Sequence, residues 1–287
     1  MRTTVNSARL WSRCEHAAGR RRSCGTLGAD YLGALDIGDG ELASGNNSVM
    51  TRLLNLTALK RKLTQSGDPK RARDPIWFKT GKGEYGEGDK FIGVRIPALR
   101  AISREYHHLK LPEIEKLLRS RIHEYRYAAL LILVSQYEAG DPRTRQKVFD
   151  FYLGHTQYIN NWDLVDTSAP YIVGEHLVHR SRRLLYRLAE SPVLWERRIA
   201  MVATFAFIER GDLKDTFGIA NCLLADKHDL IHKAIGWMLR EAGVYSRPSM
   251  IAYLKRHYSR MPRTALRYAV EHLPEVRRKM ALRGLFV

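Results

Sequence analysis

The stretch HEYRYAALLIL, residues 123 to 133, decides the fold. Tyr125, Ala128, Ala129, Ile132 and Leu133 stand at offsets 0, 3, 4, 7 and 8, the spacing that puts five side chains on one face of an α-helix. Ile199, Val202, Ala203, Ala206 and Phe207 fill the same offsets, and so do Ile231, Ala234, Ile235, Met238 and Leu239. The first two stripes begin 74 residues apart and the last two 32, so the internal period is that of a helical hairpin of roughly 37 residues. Sustained period-2 alternation is almost absent, and no sheet is expected. A hairpin with one apolar stripe cannot bury it alone. The reading is therefore an all-α, monomeric, curved solenoid of HEAT-like helical-hairpin repeats, whose concave side suits a long partner.

One repeat unit beyond Tyr125 stands Trp162, and the stripe there reads Trp162, Val165, Asp166, Ala169, Pro170. A carboxylate occupies a position that is apolar in the other stripes. Trp162 and Asp166, four apart, are neighbours on the helix surface. Pro170 has no N–H for the carbonyl of Asp166, so the helix should loosen there. Two roles are open to Asp166: chemistry, or a structural ion pair with an Arg of the next repeat. Arg198, at the edge of the stripe that starts at Ile199, would orient Asp166 or bind a phosphate. In KAIGWMLRE, 233 to 241, Lys233, Trp237 and Arg240 share a face apart from the apolar stripe. That basic, aromatic face suits a nucleic-acid backbone, or else it is a surface helix whose Trp packs on a neighbour.

Charge points the same way. Lys and Arg number 48 against 30 Asp and Glu, a net +18, which calls for a polyanionic partner. Residues 1–49 hold six Arg and five acids, leaving 42 basic against 25 acidic residues over 50–287. The last segment, 245–287, has ten Lys or Arg against Glu271 and Glu275 alone, and Arg263 and Arg267 are the cations expected to grip phosphates. The Gly- and Ser-rich segment 1–49 reads as a disordered leader or upstream extension, dispensable for activity, ahead of a repeat domain at 50–287. No apolar run approaches the roughly 20 residues of a membrane span, so no membrane association is expected. Cys14, Cys24 and Cys222 form no CxxC pair and no His pair has HExxH spacing, so no disulfide framework, metal or cofactor is expected, in a reducing, cytoplasmic compartment. The loop KTGKGEYGEGDKF, 79 to 91, has four glycines, but Glu84, Glu87 and Asp89 would repel phosphate. It reads as a connection held by Phe91 and Val94 before Pro97 opens the next helix.

At these residues the chain resembles the AlkD-type DNA alkylation-repair glycosylases, from about Pro75 to about Glu271. NWDLVD at 161–166 is similar to the family's Trp-Asp-x-Val-Asp segment, WERRIA at 195–200 to the segment with its active-site arginine, and KAIGWMLRE to the one whose tryptophan completes the site. The resemblance implies that Asp166, Trp162, Trp237 and Arg198 are catalytic, that Trp77 is the DNA-contacting aromatic near the start of the fold, and that the partner is double-stranded DNA bearing alkylated bases. It also implies removal of cationic purines of the 3-methyladenine and 7-methylguanine type, with a carboxylate stabilising a sugar cation and aligning water. Two rivals stand beside it: a non-catalytic repeat protein that binds damaged or branched DNA, which Asp166 opposes, and a protein-binding HEAT scaffold, which the charge opposes.

Overall fold

A computed structural model describes residues 55–73 and 78–286. The expected leader 1–49 and Trp77 lie outside the described residues. The compact unit from Leu56 onward opens with α1 (Leu56–Gln65), α2 (Pro69–Arg73) and α3 (Ile96–Glu105). It continues with α4 (Leu111–Leu118), α5 (His123–Ala139), α6 (Pro142–Leu153), α7 (Trp162–Ala169), a π-helical turn (Pro170–Gly174) and α8 (Glu175–Leu177). Then come α9 (Arg183–Ala189), α10 (Leu194–Ala203), α11 (Phe205–Ile208), α12 (Lys214–Leu223), α13 (Asp229–Tyr245), α14 (Arg247–His257), α15 (Arg263–Ala269) and α16 (Glu275–Leu282). Among the described residues there is no strand, only one isolated bridge between Lys90 and Ile122. No described helix is long and apolar enough to cross a membrane.

The helices form the expected stack of hairpins. In one layer α3, α5, α7, α10, α13 and α15 each pack on the next, while α4, α9, α12 and α14 pack as outer partners on α5, α10 and α13. All three stripes that set the period are buried. Local chemistry fixes the helix starts: Pro97, Pro112, Pro142 and Pro248 sit in first turns, where a missing N–H costs nothing. Asp141 accepts from the Thr144 amide at 2.7 Å and Asn161 from the Trp162 amide at 2.8 Å.

Side chains then tie each repeat to the following one. His123 reaches Asp163 at 2.7 Å, Thr156 reaches Glu196 at 2.8 Å, and Arg197 reaches Asp226 at 2.6 Å. Because α5, α7, α10 and α13 are the inner members of successive hairpins, they run in one direction, and these links gather their first turns along one edge. Pro170 acts as expected. The Glu175 amide donates to the Pro170 carbonyl five residues back, so the helix widens into a π turn after α7. That turn brings Gly174 onto α10 and α11, where a Cβ would collide with the Ala203 carbonyl and the Ala206 side chain. Gly236 plays the same part between α13 and α15, against the Ala265 carbonyl and Tyr268.

Candidate active site

Asn161 caps α7, Trp162 follows half-buried in the first turn, and Asp166 lies one turn further along the same stripe, 6% exposed. From α10 the Arg198 guanidinium meets Asp166 side-on, Nε to Oδ1 at 2.8 Å and Nη2 to Oδ2 at 2.7 Å, and its Nη1 donates to the Leu230 carbonyl at 2.5 Å. One fork therefore ties α7, α10 and the start of α13. Burial pushes the Asp166 carboxyl above its ordinary range, Arg198 pulls it back only in part, and the nearby Asp163 charge adds to the rise. The pairing left open for Asp166 is thus present in its bidentate form, which fixes the direction of the carboxylate and uses one lone pair of each oxygen.

Around this pair stands a wall of rings. Phe78 stacks on Trp162 at 5.7 Å between centroids and on Phe91 at 5.1 Å, and both phenyl rings lie on the buried imidazole of His123 at 4.7 and 5.1 Å. The loop 79–91 does more than connect. Its Tyr85 sets its hydroxyl against the Trp162 indole N–H, and its ring meets Trp195 of α10 edge-on at 5.7 Å. Burial raises the Tyr85 phenol above its ordinary value, so it stays protonated at neutral pH; Lys233 of α13 is close enough to act on it. Two acids of the loop turn back on the loop itself, Glu84 accepting from the Gly81 amide at 2.8 Å and Glu87 from the Gly83 amide at 2.7 Å, while Asp89 pairs with Arg126 of α5 at 2.6 Å.

The family model described as "DNA alkylation repair enzyme" matches residues 59–273. The chain belongs to the DNA alkylation repair enzyme family. A solved structure of a protein from Enterococcus faecalis, described as a predicted DNA alkylation repair enzyme, is similar at 18% identity with a TM-score of 0.56. The match covers 73% of this chain and 98% of that one, a likeness of fold. No curated protein sequence matches the chain.

For this family member the structure brings Asp166, Arg198 and Trp162 together. Trp237 and Arg240 do not form an exposed basic, aromatic face, because α13 is enclosed by α10, α12, α14 and α15 and is buried on every side from Ala234 to Ala242. Trp237 is 2% exposed, with its indole N–H unbonded among the described residues. Arg240, 3% exposed, pairs with Glu271 and touches Glu241 at 3.4 Å, so it is a core cation and not a phosphate ligand. Lys233 stays partly exposed, in an i,i+4 pair with Asp229 at 2.8 Å. Arg263 and Arg267 are exposed on α15, and Arg263 also donates to the Leu282 carbonyl at 2.8 Å. Tyr85 and Trp195 escaped the sequence reading. The one signal for Tyr85 was an aromatic residue between two glycines in an otherwise polar loop. Among the described residues no three His, Cys, Asp or Glu side chains gather to hold a metal ion.

Proposed function

We propose that this protein hydrolyses the N-glycosidic bond of alkylated, cationic purines in duplex DNA, with Asp166 as the central carboxylate. The observation that carries this reading is a buried carboxylate, aimed by the Arg198 fork, one helical turn from the Trp162 indole. A purine alkylated at N3 or N7 departs neutral, so no general acid is required, and positive charge grows on the deoxyribose instead. A fixed carboxylate with free lone pairs can stabilise that charge and align water, and the faces of Trp162 and Tyr85 add a negative quadrupole. Trp237 is enclosed in the packing of α13, and Tyr85 is an aromatic we place against DNA at this end. Lys233, Arg263 and Arg267 supply phosphate contacts.

One observation favours a second reading. Asp166 is 6% exposed with both oxygens engaged by Arg198, as in a purely structural ion pair, and a repeat protein that binds damaged DNA without cutting it would look the same. Release of methylated base from alkylated duplex, with binding of unmodified duplex measured alongside, separates them. The glycosylase reading expects release by the full chain; binding of both duplexes without release establishes the other.

A further inference from the structure

At the start of α5 a charge cluster lies outside the Asp166 pair. His123 is buried, with Nε2 2.7 Å from Asp163 Oδ2 on α7 and Nδ1 3.5 Å from Asp89 Oδ2 at the end of the Tyr85 loop. Arg126 donates to the same Asp89 oxygen at 2.6 Å and to the Ser120 carbonyl at 2.8 Å. Its Nη2 is also 3.4 Å from His123 Nδ1, but it is committed to Asp89 at the shorter distance. Both imidazole nitrogens thus face carboxylates, and two largely enclosed carboxylates stand against one guanidinium. Only a protonated His123 makes the cluster neutral and gives each ring nitrogen a proton to donate. The rings of Phe78 and Phe91 pack against the imidazole, and Phe78 continues the stack to Trp162. The other charged group at this end of α5, Glu124, is turned to the amides of Ile92 and Gly93, at 3.1 and 2.7 Å.

We propose that His123 is a positioning residue for this site: as an imidazolium it clamps the first turn of α7, and Trp162 with it, to the base of the loop that carries Tyr85. The proposal rests on the glycosylase reading for what the clamp serves, but the clamp itself is a property of the fold. Burial alone would depress the imidazolium, yet Asp163 and Asp89 outweigh it and raise its pKa from 6.5 to about 9. Asp89 is held below its ordinary value, since His123 and Arg126 outweigh its burial. A raised folded-state pKa stabilises the protein fully below the unfolded value of 6.5, and that contribution disappears as pH rises through about 9. Losing the proton leaves Asp163 with an uncompensated charge beside Trp162, within electrostatic reach of Asp166 and Tyr85.

Fluorine NMR of the full chain carrying fluorotryptophan, with Trp162 assigned from Trp162→Phe, follows the clamp directly. In the wild type the Trp162 resonance should titrate with a midpoint near about 9, and in the charge-balanced variant His123→Gln/Asp163→Asn it should not. Single-turnover excision at neutral pH should fall about tenfold or more in His123→Gln and recover in the double variant, because neutrality is restored. The ratio of wild-type to double-variant rates cancels titration of the substrate, and it should fall as pH passes about 9. A wild-type Trp162 resonance that stays flat to about pH 10 overturns the proposal, and so does a flat rate ratio. If the wild type releases no base at any pH, the glycosylase reading fails and the Trp162 titration still decides the clamp. If His123→Gln does not fold, the wild type and the double variant carry the comparison.

Discussion

Removing the charge from Asp166 leaves the Arg198 guanidinium buried against an amide. Asparagine still accepts from one arm of the fork, but an uncompensated buried cation costs about 3–5 kcal/mol at the upper end, so Asp166→Asn should melt several degrees below the wild type. Asp166→Asn with Arg198→Gln should regain most of that loss, measured by thermal unfolding; a single variant as stable as the wild type would mean that the pair is not desolvated as described. Arg240 presents a different case. Arg240→Ala should lower the melting temperature by removing the partner of Glu271 and the guanidinium beside the buried Glu241, while the affinity of the folded protein for duplex DNA stays within about twofold. A strong loss of DNA affinity in a fully folded Arg240→Ala would return that residue to the binding face. The pair of Asp166 and Arg198, 32 residues apart, was legible in outline because a carboxylate interrupts a buried stripe one repeat from a stripe-edge Arg. Which of its two roles it serves is a matter of geometry and chemistry that spacing does not carry.

At the scale of elements, the apolar stripes were legible because helix burial repeats in sequence at 3.6 residues, and all three lie in the core. The misplacing of Trp237 and Arg240 on an exposed face has a physical cause. A single stripe assumes one covered face, whereas α13, inside a stack, has neighbours nearly all round, and its Arg240 is accommodated by a paired acid from the next repeat. Tyr85 could not be traced, since its partners Trp162 and Trp195 are set by how the loop folds back over α7 and α10, and nothing local encodes that return. Close packing gives a sharp test at this scale. Gly236→Ala should destabilise by about 1–3 kcal/mol, because the added methyl would drive α15 off α13, and chemical denaturation should show it. A neutral effect would mean that the two helices separate freely.

Over the whole molecule, a net +18 and exposed cations on α15 make binding to duplex DNA electrostatic first. Affinity should fall steeply with salt, and Arg263→Ala with Arg267→Ala should weaken alkylated and unmodified duplex equally while reducing the salt slope by about 2, since phosphate contacts carry no sequence or lesion information. A salt-independent affinity would contradict this grip. On the proposed reading, recognition of damage then resides in the chemistry at Asp166, where we place the carboxylate, Trp162 and Tyr85 against the sugar of the departing base. The most direct test of that claim is the single-turnover rate of 7-methylguanine release from duplex DNA by Asp166→Asn, at a temperature where circular dichroism shows the variant folded. Loss of carboxylate stabilisation should slow release at least about a hundredfold, or roughly 3 kcal/mol, with duplex affinity retained; release at the wild-type rate would contradict the assignment of Asp166 as the catalytic carboxylate.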